Sequence, residues 1–155
     1  MATNGGTAHE PETVWQVIVV QARHLRGKGT EEPTHVQCAI AYGENRELTH
    51  TVHEAQPLWN YWTQFSDQPG VKQMEFVLYD KENDGSVELG RVVLDLAVFR
   101  KKKGKAQDMW KKLKKDGKLL KGEVHLTITF EEMHATTDDE MQKDCLDAAR
   151  HCIIM

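Results

Sequence analysis

The sequence has few cysteines and no long apolar run. Its three cysteines, Cys38, Cys145 and Cys152, are odd in number and widely spaced, which fits neither a disulfide framework nor a zinc site. No apolar stretch approaches the roughly 20 residues of a membrane-spanning helix. The N-terminus also lacks the charged start and apolar centre of a secretory signal. We therefore expect a cytoplasmic protein with reduced thiols.

Signatures of catalysis are also missing. The sequence contains no phosphate-binding loop, nucleophile elbow or HExxH motif. His50 and His53 fall on opposite faces of a predicted strand, so they do not form a pair. His24, His35 and His125 have no cysteine or carboxylate at the spacing of metal ligands or of a catalytic triad. The sequence therefore predicts a protein that is not an enzyme.

Positive charge is concentrated in one segment. Eleven lysines and arginines but only two acids, Asp108 and Asp116, lie between Arg100 and Lys121. This segment carries +9 and the remainder −13, in a chain whose net charge is −4. Such a block attracts anionic membranes, nucleic acid or acidic partners, or serves only as a solvated loop. Trp110 is its only aromatic residue, so the stacking platforms that single-stranded nucleic acid needs are missing and nucleic acid is not expected.

The segments between residues 14 and 132 have the pattern of an antiparallel β protein. Two of them, HVQCAIAY and GEVHLTITF, alternate apolar and polar residues, and VWQVIVVQA has the composition of a buried strand. The residues predicted to face inward in the two alternating segments are Val36, Cys38, Ile40, Tyr42, Val124, Leu126, Ile128 and Phe130. Further strands are predicted in ELTHTVH, LWNYWTQF, VKQMEFVLY and ELGRVVLDL, with a short one near Trp110. About eight strands with regular turns favour an antiparallel β-sandwich.

Both ends of the chain are predicted to lie outside this sandwich. Residues 1–13 are small, polar and interrupted by Pro11, which predicts a disordered N-terminus. Residues 133–155 form an acidic tail in which Thr137 and Glu140 make a capping box for a short C-terminal helix. The predicted organisation is therefore a disordered segment 1–13, a β-sandwich 14–132 and a tail 133–155.

In this order the segments resemble the C2 domain family. The resemblance runs from VWQVIVVQARHL through EEPTHVQCAI, PLWNYWTQF and FVLYDKENDGSVELGRVVLDL to WKKLKKDGKLLKGEVHLTITFEE. Because GEVHLTITF stands last, the order is similar to the circularly permuted, type II topology of novel protein kinase C and cytosolic phospholipase C2 domains. The resemblance implies an eight-stranded antiparallel β-sandwich that docks on phospholipid membranes.

Calcium-binding members of this family hold the ions with aspartates on two loops at one end of the sandwich. The resemblance places four acids of this sequence at such positions, namely Asp80, Glu82, Glu88 and Glu32. Three of them are glutamates where aspartate is usual, and Arg26 and Lys28 stand where a further aspartate is missing. Longer carboxylates and nearby cations weaken a calcium site. We therefore expect no cofactor and a largely calcium-independent function, with a calcium-dependent phospholipid sensor as one alternative.

The chain ends on Cys152-Ile153-Ile154-Met155, which fits the Cys-aliphatic-aliphatic-X motif for prenylation. A final methionine indicates a farnesyl group on Cys152, added by a prenyl transferase. One such lipid holds a protein on a membrane only marginally, so a second signal is expected. Cys145, on the same side of the predicted helix, is a candidate for palmitoylation.

The lysines of the cationic segment are the other candidate second signal, because each lysine that reaches an anionic leaflet contributes up to about 1 kcal/mol. They are Lys101, Lys102, Lys103, Lys105, Lys111, Lys112, Lys114, Lys115, Lys118 and Lys121. The leading hypothesis is a non-catalytic peripheral protein on the cytosolic face of an anionic membrane, tethered by farnesylation and assisted by this lysine-rich face. A protein-interaction adaptor, with the lipid merely recruiting it, is the other alternative.

Overall fold

The structure, a computed structural model, describes residues 12–27, 31–82 and 85–133. The elements in this part of the chain are β1 (Glu12–Arg23), β2 (Val36–Tyr42), β3 (Asn45–Leu48), β4 (Leu58–Ser66), β5 (Gln73–Glu82), β6 (Gly85–Asp95), α1 (Ala97–Arg100), β7 (Gln107–Lys115) and β8 (Lys118–Met133). Every strand pairing is antiparallel. The predicted eight-stranded antiparallel architecture is confirmed.

The strands follow the order β3-β2-β5-β6-β7-β8-β1-β4. One residue pair, Arg91 with Lys114, joins β6 to β7, so the order divides there into two four-stranded halves. The halves pack face to face, and Trp15 of β1 contacts Tyr42 of β2 with ring centroids 6.3 Å apart. On the other side Thr63 of β4 donates a hydrogen bond to Glu47 of β3 at 3.0 Å. The result is a β-sandwich closed by weak contacts along both sides.

The core lies between the two halves and is filled by alternate residues of the strands. The eight residues predicted to face inward on β2 and β8 are all buried, with 6% or less of their surface exposed. Trp15 is fully buried and also packs against Phe130, with ring centroids 4.4 Å apart. Period-two alternation therefore predicts the buried face of these strands correctly, because successive side chains of a strand point to opposite faces.

The sandwich has two distinct ends. At one, here called the loop end, β1 leads into β2, β5 turns into β6 and β7 turns into β8, since Val36 pairs with Asp80 and Lys115 with Lys118. At the other, here called the tail end, β1 begins and β8 finishes, with Glu12 paired to Met133. The α1 helix lies at the tail end as well, because its connection to β7 bonds back to the end of β8.

Two elements differ from the predictions. The segment ELTHTVH was predicted as a strand, but β3 stops at Leu48 and only Val52 bridges again to Val36. Its ladder is interrupted because the Thr49 hydroxyl accepts the Cys38 backbone N–H at 2.9 Å, replacing a strand partner. The four-residue α1 was not predicted, since one turn is too short for a helical period to appear.

The predicted ends fall mostly outside the described residues. Strand β1 begins at Glu12 and strand β8 ends at Met133, next to the limits of the predicted sandwich at 14–132. The N-terminal segment up to residue 11, the predicted C-terminal helix and the Cys-aliphatic-aliphatic-X motif lie outside the described residues.

Candidate functional site

The lysines of the cationic segment fall into two groups. Lys101, Lys102, Lys103 and Lys105 lie in the connection from α1 to β7 at the tail end and are named the tail-end lysines. Six others lie on the β7–β8 hairpin, which turns at the loop end, and are named the hairpin lysines: Lys111, Lys112, Lys114, Lys115, Lys118 and Lys121. Because a strand rises about 3.3 Å per residue, β7 holds its two ends roughly 26 Å apart. The single lysine-rich face predicted from the sequence is therefore divided.

Arg100 is part of the core packing and not of the cationic surface. Its guanidinium donates to Asp67 at 2.7 Å and to the Val71 carbonyl at 3.0 Å. It also lies over the rings of Trp15 and Phe130, at 5.2 and 5.4 Å from their centroids. These contacts fix the end of α1 against β8 and so position the tail-end lysines that follow.

The tail-end lysines differ in the partners that their ammonium groups contact. Lys103 forms an ion pair of 2.7 Å with Glu132 and lies near the Phe130 ring. Lys102 donates to a neutral acceptor, the side-chain oxygen of Gln107, at 3.4 Å. All four side chains are exposed. The group therefore presents positive charge to solvent beside the point where the chain leaves β8.

Four of the hairpin lysines line a groove of about 540 Å³ between β6 and β7. Val92, Val93 and Leu119 contribute apolar surface to it, and Lys111, Lys112, Lys114 and Lys115 contribute ammonium groups. Lys115 also donates to the Glu88 carbonyl across the two strands, at 2.8 Å. The groove thus combines exposed apolar surface with positive charge.

Arg91 and Glu88 neutralise each other within this groove. Arg91 donates to the two oxygens of Glu88 at 2.6 and 3.1 Å and to Glu75 at 3.1 Å. The hydrogen bond from Arg91 lowers the pKa of Glu88, and the same bond raises the pKa of Arg91. The lysines therefore supply the net positive charge of the groove.

The four acids predicted as calcium ligands are not brought together. Asp80 is buried, and its Oδ1 accepts the backbone N–H groups of Thr34 and His35 at 3.3 and 3.0 Å. Glu32 and Glu82 are exposed, and Glu88 is bound to Arg91 as described above. Over residues 12–27, 31–82 and 85–133, no group of three or more His, Cys, Asp or Glu side chains is arranged to hold a metal ion. Asp80 instead ties the β1–β2 connection to the end of β5.

The lipid-attachment residues Cys145 and Cys152 lie outside the described residues. Cys38, by contrast, is a core residue, and burial raises the pKa of its thiol well above the ordinary value. A buried thiol of this kind is chemically inert. In the described part of the chain, no helix has the length and apolar character needed to cross a lipid bilayer.

An aromatic and charged ladder on the outer face of β7, β8 and β1 was not predicted. Trp110 stacks on His125 with centroids 4.9 Å apart, and the Arg23 guanidinium lies 3.8 Å above the Trp110 ring. Asp108 accepts a hydrogen bond from Thr127 at 2.7 Å, and this bond lowers the pKa of Asp108. No signal in the sequence indicates these contacts, because they depend on the register between three strands.

Comparison with known proteins identifies the class. The family model of the C2 domain matches residues 13–113, and the chain belongs to this family of membrane- and phospholipid-binding modules. It is 30% identical over 115 residues to the Rattus norvegicus protein Multiple C2 and transmembrane domain-containing protein 1. That match covers 73% of this chain and 12% of the relative, so the chain corresponds to one small part of it.

Solved structures show the same fold. The C2A domain of plant Extended Synaptotagmin 1 matches with a TM-score of 0.67 and 23% identity, over 81% of this chain and 99% of that one. Human GIVD cytosolic phospholipase A2 matches with a TM-score of 0.67 and 20% identity, over 81% of this chain and 17% of that one. The likeness to the phospholipase concerns its C2 domain only. With β8 paired between β1 and β7, the sandwich has the type II order that the resemblance implied.

Proposed function

We propose that this protein is a non-catalytic peripheral membrane protein, held on an anionic cytosolic surface by a farnesyl group on Cys152 and by the tail-end lysines, largely without calcium. The observation that carries the proposal is the position at which the chain leaves the sandwich. Lys103 contacts Glu132 at 2.7 Å, one residue before β8 ends at Met133. The segment that leads to Cys152 therefore starts beside the tail-end lysines.

The length of that segment favours the tail-end lysines over the hairpin lysines as the second signal. Cys152 follows Met133 by 19 residues. Such a segment measures about 24 Å as a flexible coil or about 28 Å as a helix. Both lengths are close to the length of β7. A lipid in the bilayer therefore keeps the tail end near the membrane, whereas the hairpin lysines on β7 lie about 13–26 Å further along the strand.

The lysines supply a useful part of the binding energy. Lys103 shares its charge with Glu132, and the three other tail-end lysines have exposed side chains that can face lipid: Lys101, Lys102 and Lys105. At up to about 1 kcal/mol each they strengthen membrane partitioning by up to about 100-fold. The acidic tail opposes this attraction. Palmitoylation of Cys145 would add a stronger second anchor.

The lipid part is tested by replacing the cysteine in eukaryotic cells. Cys152→Ser should move the protein from the membrane fraction to the soluble fraction, and the wild type should carry the mass of a farnesyl group in intact-mass spectrometry. Cys145→Ser leaves the predicted motif complete, so comparing the two variants separates the loss of the farnesyl group on Cys152 from the loss of a palmitoyl group on Cys145. Unchanged membrane association of Cys152→Ser, together with an unmodified wild type, would contradict the proposal.

The lysine part is tested with vesicles of phosphatidylcholine and phosphatidylserine. Replacing Lys101, Lys102 and Lys105 by glutamine should weaken binding and flatten its salt dependence. The matched control replaces Lys111, Lys112 and Lys114, which changes the net charge equally further along β7 and should have a smaller effect on the lipidated protein. Equal effects of the two triple variants would mean that net charge, and not the tail end, determines binding.

A further inference from the structure

Among the described residues, the edges of β6 and β7 that face each other, here called the seam, are almost unpaired. In the part of the chain that the structure describes, Arg91 with Lys114 is the one residue pair that joins them. Yet β6 has eleven residues and β7 has nine. Beyond this pair the strands separate and the 540 Å³ groove opens between them, within the size range of ligand pockets. Backbone donors and acceptors on facing strand edges are a template for a further strand.

The side chains that line the groove indicate which kind of ligand it can bind. Val93 and Leu119 keep 47% and 60% of their surface exposed, so both offer apolar surface to a ligand in the groove. Lys111 and Lys112 are exposed at its margin. Strand edges, apolar surface and positive charge therefore occur together at one place.

We infer that this groove binds an extended acidic peptide segment of a partner protein, which adds as a strand along the seam. In strand addition the backbone bonds give affinity, and alternate side chains of the peptide enter pockets. Apolar side chains of the peptide would cover Val93 and Leu119, and the intervening acids would meet Lys111 and Lys112. A peptide that alternates acidic and apolar residues meets all three features of the groove.

A bare phosphate group fits this groove less well. Arginine is the side chain that binds phosphate through two parallel hydrogen bonds, but Arg91 already donates to Glu88 and Glu75. The exposed apolar surface of Val93 and Leu119 would stay exposed beside a phosphate. The groove residues Lys111 and Lys112 lie about 13–17 Å along β7 from its tail-end start, so a peptide there leaves the proposed membrane contact free.

The test uses the full chain, labelled with ¹⁵N, and a short capped peptide of alternating valine and glutamate as the probe. NMR titration should shift the amide signals of Val92, Val93, Lys111 and Lys112, and amide hydrogen exchange in these residues should slow when the peptide is bound. A peptide of alternating valine and lysine should not bind. A peptide of the same charge with proline replacing every valine should also fail, because proline cannot donate the strand hydrogen bonds.

Two variants keep the test independent of folding. Val93→Glu changes an exposed side chain and places a negative charge in the groove, and Lys111→Gln with Lys112→Gln removes two exposed charges. Each variant should weaken peptide binding by about fivefold or more, since two exposed charge contacts contribute roughly 1 kcal/mol together. Replacing Lys101 and Lys105 by glutamine is the control and should leave peptide binding unchanged.

Several outcomes would overturn the inference. Equal binding of the proline peptide would reduce the contact to non-specific charge attraction. Slow amide exchange in the seam of the free protein would mean that another part of the chain already occupies it. If phosphatidylserine vesicles slow amide exchange in the groove and the peptide does not displace them, the groove is a membrane contact and not a peptide site. Failure of the proposed function is separate, because Cys152→Ser tests the lipid and should leave peptide binding unchanged.

Discussion

Removing the carboxylate of Asp67 should destabilise the sandwich more than breaking a surface ion pair would. One oxygen, Asp67 Oδ1, accepts hydrogen bonds from Arg100 at 2.7 Å, Trp15 at 3.1 Å and Tyr42 at 3.2 Å. These donors come from α1, β1 and β2, so one atom links three elements at the tail end. The Asp67 and Arg100 side chains are 14% and 24% exposed, which makes this the least exposed of the carboxylate ion pairs with a lysine or arginine.

The size of the effect follows from what the substitution leaves behind. Asp67→Ala leaves the Arg100 charge and the Trp15 N–H without their acceptor. Breaking a fully buried ion pair by removing one partner costs about 3–5 kcal/mol, and partial access of water to Arg100 places the expected loss near the lower limit, at about 3 kcal/mol. For a chain of 155 residues this corresponds to a fall in Tm of about 6–12 °C. Asp67→Asn keeps an acceptor oxygen and should lose about half as much free energy.

The measurement is equilibrium unfolding in urea followed by circular dichroism, because Trp15 fluorescence would respond to the local change itself. Lys103→Gln is the matched control, since it breaks an exposed pair of similar length that contributes about 0–1 kcal/mol. High salt should reduce the small effect of the control and leave most of the Asp67→Ala effect. A free energy of unfolding for Asp67→Ala within about 0.5 kcal/mol of wild type would refute the assignment of this oxygen as a link between three elements.

Further predictions concern the groove strands and the metal. Gly90→Ala should destabilise the protein by about 2 kcal/mol or more, because φ is +145° and a Cβ would lie 2.8 Å from Leu113 Cβ; Gly70→Ala, with no atom within 4 Å, should be nearly neutral in the same urea titration. Since Arg91 lowers the pKa of Glu88 from 4.5, its stabilisation is present above pH 4.5 and is lost as pH falls through the lower folded value. Glu88→Gln should therefore flatten the loss of stability in acid unfolding, and an identical acid profile would contradict this. Calorimetry with millimolar calcium should give no binding heat, whereas saturable heat that Asp80→Asn abolishes would support the calcium-sensor alternative.

The strands were predictable because their signal is local. Alternation on β2 and β8 reports the two faces of each strand directly, so their buried sets were identified correctly. The failure at β3 has a specific cause, since nothing in ELTHTVH indicates that the Thr49 hydroxyl binds the Cys38 N–H. Strand propensity is a property of the segment itself, whereas this hydrogen bond depends on how the segment lies against the neighbouring strand β2.

The pairing of Glu88 with Arg91 could not be predicted for a similar reason. Residues three apart on a regular strand point to opposite faces. Leu78 pairs with Gly90 and Tyr79 with Glu88, so Leu89 is an extra residue in β6. This β-bulge shifts the alternation by one position and lets Glu88 and Arg91 share a face. A calcium-loop position inferred by resemblance therefore holds a carboxylate that faces the groove and binds Arg91.

The division of the lysines shows how a short segment can serve two places. A run of charges appears in the sequence as one block, but an extended strand separates its two ends by about 26 Å, more than the Debye length of roughly 8 Å at physiological salt. Each lysine group therefore acts electrostatically on its own. If the tail end meets the membrane as proposed, the hairpin turns at the far end of β7 and the groove stays open to the cytosol. Membrane contact and peptide binding would then use separate parts of the cationic segment without competing.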